Sequence, residues 1–126
     1  MVPILVLTLL LAQLREAALE GEWLVEIVDN IKVMPDSLVT ITFSGTRVMG
    51  QASCNSYTGT YRATADGMKL EGLLTTMRAC DDPRMSQERD FLGLLRVISS
   101  YEIGSDGTLV LRTSAGKAIT ARRRAK

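Results

Sequence analysis

With 126 residues, 46% of them apolar, 23% charged and a net charge of +1, the chain has the size and composition of one globular domain with a single core. Histidine is absent, which removes the commonest general base and the commonest metal ligand together: Ser–His and Cys–His hydrolases are excluded, and two cysteines alone fall short of a four-ligand zinc site. Residues 19–121 carry ten basic and thirteen acidic side chains, a net of −3, so the body offers nucleic acid no basic surface.

In chain order, the first element is an apolar run from Val2 to Ala12. It is too short for a transmembrane helix, which needs about 20 residues. It shows no amphipathic period, which argues against a buried N-terminal helix or strand. Its length fits the core of a secretory signal, with Ala17 and Ala18 as small residues for cleavage. The expectation is a signal peptide over residues 1–18, a domain over 19–121, and export to the periplasm or cell envelope. The last five residues hold Arg122, Arg123, Arg124 and Lys126. They read as a solvated basic tail, capable at most of weak contact with an anionic membrane surface, worth about 1 kcal/mol per basic residue.

Between these ends the apolar period is mostly two. "WLVEIV" (23–28) starts a strand with the single tryptophan. "SLVTITF" (37–43) puts Val39, Ile41 and Phe43 on one face and Leu38, Thr40 and Thr42 on the other. "SGT" turns the chain into "RVMGQA" (47–52); "TGTYRA" (58–63), the turn "ADG" and "MKLEG" follow. "GLLTTMRAC" (72–80) reads as a strand or an irregular lead-in to a helix. "SYEIG", "TLVLRT" and "KAITAR", separated by "SDG" and "SAG", spell a three-stranded meander. Residues 81–100 alone carry helix signals: Asp81 or Asp82 as N-cap, Pro83 at the first position, and Met85, Leu92, Leu95 and Ser99 on a stripe flanked by Phe91 and Ile98. About eight short antiparallel strands and one helix predict a mostly-β, α+β fold, a small barrel-like sheet with the helix packed across it.

The two cysteines, Cys54 and Cys80, form an even count in a chain read as exported, which suggests a disulfide. Unpaired buried thiols and a redox pair are the alternatives, although the C-x-x-C spacing of redox pairs is missing. The segments around them are ordered: Gly50-x-x-x-Cys54-Asn55-x-x-x-Gly59-x-Tyr61, then Thr76-Met77-x-Ala79-Cys80, then Met85-x-x-Glu88-x-x-Phe91-Leu92-x-x-Leu95. With Trp23 at the first strand and "YEIGSDGTLVLRTSAGKAI" at the end, residues 22–120 resemble the META domain, or HslJ-like, family. Ser53 stands where that family often has glycine, which bears on the local backbone angle. The resemblance implies a small antiparallel barrel-like domain of bacterial envelopes, linked to heat or drug stress and without an established reaction. It also implies a fold like that of a lipid-binding pilot protein of secretion systems.

Residue by residue, structural roles are expected. Asn55 suits a turn, through amide bonds to neighbouring backbone or a left-handed conformation, with ligand binding as the lesser role. Gly50 and Gly59 suit a bulge or a close backbone approach. Tyr57 and Tyr61 are expected to pack with their hydroxyls at the rim. Glu88 falls against the helix's apolar stripe, where a carboxylate needs a partner, so a tie to backbone or to an arginine is expected. Asp81 and Asp82 read as helix-capping residues, and the methionines as core filling. No catalytic residue, metal site or cofactor is assigned. The expectation is a monomeric, non-enzymatic domain acting on an envelope protein or an apolar ligand. The competing reading is a carrier of lipid or another apolar molecule, which requires a cavity lined by Leu, Val and Met.

Overall fold

Side-chain alternation decides the sheet. In a computed structural model that describes residues 3–124, β1 (Gly21–Val28), β2 (Ile31–Lys32), β3 (Thr40–Ser44), β4 (Arg47–Gln51), β5 (Ser56–Thr64) and β6 (Gly67–Thr75) precede a helix. The strands β7 (Ile98–Ile103), β8 (Leu109–Thr113) and β9 (Ala118–Arg123) follow it. The sheet is antiparallel, in the order β6-β5-β4-β3-β1-β9-β8-β7, with β2 paired to β1. It curls until β6 and β7, its two ends, lie side by side, with Gly67 against the Ser99 carbonyl. The result is the expected mostly-β, nearly closed barrel.

Val39, Ile41 and Phe43 are fully buried, as their shared face requires, and Leu38 stays outside. They join Trp23, Val48, Tyr57, Leu109, Leu111 and Ile119 in one continuous core. Burying each large apolar side chain stabilises the fold by about 1.5–3 kcal/mol. The β1–β2 hairpin turns on Asp29 and Asn30, at φ 48° and 66°. Two successive left-handed residues give the twist that a tight hairpin needs, and Asn and Asp tolerate that conformation.

Helix α2 (Asp82–Leu95) starts where the sequence places it, with Asp81 at the N-cap position and Pro83 in the first turn. Its buried residues, Glu88, Phe91, Leu92 and Leu95, close one side of the core. Two expectations are corrected here. The helix stops at Leu95, not near residue 100, because Ile98 is recruited into β7 opposite Thr113 and is buried there. Asp81 does not cap the helix through its side chain; its carboxylate takes the Arg84 guanidinium at 2.8 Å instead.

Ahead of the barrel, α1 (Ile4–Ala17) is a second helix. Ile4, Leu5, Val6, Leu7, Leu9, Leu10, Leu11 and Leu14 are all exposed. The helix is 14 residues long, and no helix among the described residues is long and apolar enough to cross a membrane. Residues 1 and 2 of the expected signal lie outside the described residues. The core begins at Leu19, which is fully buried and whose carbonyl accepts the Trp23 indole N–H at 2.9 Å.

Candidate functional site

The segment between β4 and β5 makes a tight corner. Ser53 sits at φ 103°, and the Ala52 N–H donates to the Asn55 carbonyl at 2.7 Å. The left-handed backbone therefore falls on Ser53, the position where the family often has glycine, and not on Asn55. A non-glycine residue there costs about 1–2 kcal/mol. Ser53 offsets part of that cost through its hydroxyl, 2.9 Å from the Ser37 hydroxyl and 3.0 Å from Gln87 Nε2. Gln87 also donates to Ser37 and accepts the Met34 N–H at 2.8 Å, so α2 holds both loops.

This corner aims two backbone N–H groups at α2. Those of Cys54 and Asn55 donate to Glu88 Oε1 at 3.0 and 2.7 Å, and Asn55 Nδ2 donates to Glu88 Oε2 at 2.7 Å. The carboxylate is 5% exposed, so it needs those donors to replace the water it has lost. Such charge-assisted bonds are about twice as strong as neutral ones. The tie expected for Glu88 is thus to backbone and to Asn55, with no arginine.

Asn55, 3% exposed, is engaged on every side. Its second amide hydrogen goes to the Arg78 carbonyl at 3.1 Å. Its oxygen accepts the Thr76 hydroxyl at 2.8 Å and the Arg78 N–H at 2.6 Å. Two donors and two acceptor directions are the whole capacity of an amide, and all four are spent inside the protein. The Cys54–Cys80 disulfide, with its Cα atoms 6.0 Å apart, ties the same loop to the same corner.

Gly50 and Gly59 support the clasp from the sheet. A Cβ at Gly50 would strike the Thr40 carbonyl, the group that accepts the Tyr57 hydroxyl at 2.8 Å. A Cβ at Gly59 would meet the Glu71 carbonyl at 2.9 Å, where β5 shifts register against β6. The Tyr57 hydroxyl is therefore inside the barrel, not at its rim, because the gap over Gly50 admits it. Burial pushes the Tyr57 phenol well above its ordinary pKa, which keeps it a donor. Tyr61 is half-buried and stacks edge-on against Phe43, with ring centres 4.7 Å apart. Burial, then Glu20, Glu16 and Tyr101, raise its pKa.

The structure gathers Cys54, Asn55, Thr76, Cys80 and Glu88, with Phe91, Leu92 and Leu95 buried beneath and Met85 half-buried. It leaves Met77 in solvent, 95% exposed. Trp23 lies in the core under Arg123, whose guanidinium is 4.3 Å from the indole centre and also donates to the Ala18 and Glu20 carbonyls. Arg122 pairs with Glu26 at 2.9 Å and Arg124 with Glu22 at 3.1 Å. The basic residues expected in a solvated tail are thus the end of β9 and its continuation, drawn in by acidic partners on β1; Lys126 lies outside the described residues.

Three participants escaped the sequence reading: Arg78, which contributes mainly backbone, Gln87, and the β1–β2 hairpin. Only the hairpin had a signal, the Asp29–Asn30 pair between two apolar runs. Among the described residues no three His, Cys, Asp or Glu side chains converge as a metal would require.

The family model for the META domain matches residues 14–126. A protein from Burkholderia xenovorans, solved by NMR, superposes with a TM-score of 0.73 at 19% identity, over 90% of this chain and 88% of that one. A DUF4847 family protein from Bacteroides vulgatus superposes with a TM-score of 0.64 at 15% identity, over 90% and 99%. At these identities the likeness is one of fold. No curated protein matches.

Proposed function

The chain belongs to the META domain family, and we propose that it works as a non-enzymatic domain of the cell envelope. In this reading residues 1–18 direct export and the rest acts as a monomer in tolerance of heat or drug stress, through contact with an envelope protein or an apolar ligand. The observation that carries the proposal is the fully engaged clasp. Asn55 has no bond left for a substrate, and Glu88 is spent on three N–H donors, so the most reactive-looking residues serve the fold. The Cys54–Cys80 disulfide supports an oxidising compartment.

The carrier reading is favoured by one observation, a groove of about 710 Å³ lined by Leu11, Leu14 and Ala18 of the N-terminal segment and by Ala65, Tyr101 and Ile103 of the barrel. Half of that wall is the proposed signal and leaves with it. The barrel's own interior is occupied by Trp23, Phe43, Phe91 and Leu95. These packing facts support contact at the surface over carriage inside.

Native mass spectrometry of protein recovered from the periplasm tests both readings. The expected result is a monomer that has lost the first 18 residues, keeps the disulfide and carries no lipid. Free thiols or cytoplasmic retention would overturn export, and a lipid or other apolar molecule retained one-to-one through purification would favour carriage over surface contact.

A further inference from the structure

Met68 is buried, Met34, Met49 and Met85 are half-buried, and Met77 is 95% exposed. The loop that carries Met77 is not slack. Thr76 N–H donates to the Ser56 carbonyl at 3.1 Å, and the Thr76 hydroxyl and the Arg78 N–H both reach Asn55 Oδ1. Asn55 Nδ2 returns to the Arg78 carbonyl, and Cys80 is bonded to Cys54. Every one of these bonds uses a neighbour of Met77, and none uses its side chain. The residues on both sides are fastened to the barrel, so the backbone cannot swing the thioether into cover. The nearest large aliphatic residue in sequence, Leu74, is itself 72% exposed.

Oxidation of a thioether follows access. We propose that Met77 is a modification site, an oxygen acceptor for peroxide reaching the protein surface. A sulfur lone pair attacks one peroxide oxygen, the O–O bond breaks as the S–O bond forms, and the departing hydroxide takes the proton of the sulfur-bound hydroxyl, leaving the sulfoxide and water. Sulfur is oxidised by two electrons and peroxide reduced by two. At Met68 the polar sulfoxide would enter the core; at Met77 it replaces a group already in water, so the fold absorbs the change. A thiol-dependent sulfoxide reductase is the class of enzyme that reverses it. The site stands apart from the binding proposal, since it needs only exposure and the braced loop.

The test is graded hydrogen peroxide on the full chain with its disulfide intact, followed by peptide mapping and thermal melts. Among Met34, Met49, Met68, Met77 and Met85, oxygen should enter Met77 about tenfold faster than any other. The melting temperature should stay within about 1 °C after that first step. Met77→Leu should abolish the fast phase, and Met68→Leu should leave its rate unchanged. Oxygen spread evenly over the five, a faster site elsewhere, or a fall in melting temperature on Met77 oxidation would each overturn the proposal.

Discussion

Glu88 and Asn55 are polar and buried, whereas Ile4, Leu5 and Leu14 are apolar and exposed. Each group reverses the placement that hydropathy alone would give it. At the clasp the reversal is tolerated because every polar atom has a partner within 3.1 Å. At α1 the leucines stay in solvent while the core closes without them, at Leu19 and Trp23. The contrast sets polar atoms that the fold surrounds with partners against apolar side chains that it leaves in solvent.

Breaking the clasp covalently should have the largest effect. Replacing Cys54 and Cys80 by serine reopens a loop of about 27 residues and should cost about 3.5 kcal/mol, seen as a melting temperature about 15 °C lower. Identical melts with and without reductant would place the disulfide outside the stabilising set. Glu88→Gln comes next. Its amide oxygen can keep the two backbone bonds, but its nitrogen then faces Asn55 Nδ2, donor against donor. Urea unfolding should lose about 2 kcal/mol, and an unchanged midpoint would remove Glu88 from the clasp.

Tyr57→Phe sharpens the same contrast more gently. Losing the bond to the Thr40 carbonyl should cost about 1 kcal/mol at neutral pH. The folded phenol titrates above the unfolded one, so its contribution is complete below about pH 10 and fades as pH rises beyond it. The gap between wild type and Tyr57→Phe should therefore narrow in alkaline buffer, and a gap that stays constant would contradict the buried hydroxyl. The smallest effect belongs to α1. Deleting residues 1–17 keeps Ala18 for Arg123 and should move stability by no more than about 0.5 kcal/mol. A loss of several times that size would make α1 part of the domain.

Asp81 bears on the acid side. The Arg84 guanidinium holds its carboxyl below the usual range. The stabilisation is present above the ordinary Asp pKa and is lost as pH falls through the depressed one. Asp81 and its partner are exposed enough that little stability rides on the pair.

By itself the sequence determined everything that depends on neighbours along the chain. Alternation in residues 38–43 chose the face of β3, the glycine turns set the hairpins, and Asp-Asp-Pro started α2, because a strand's period and a helix's first turn are written within a few residues. Glu88 on the apolar stripe announced a tie, and two cysteines suggested a bridge. Tertiary structure alone decided where long-range partners intervene. The helix ends at Leu95 because β8 claims Ile98, the Tyr57 hydroxyl turns inward because Gly50 leaves the Thr40 carbonyl open, and Arg122 to Arg124 lie against β1 because Glu22 and Glu26 await them. Asn55 is the sharpest case: its residue type promised a turn, and only the meeting of β5, the 76–80 loop and α2 made it the hub that consumes all its hydrogen bonds. Local order is encoded by spacing, but a buried polar atom is satisfied by residues tens of positions away, and their arrival is a property of the folded chain.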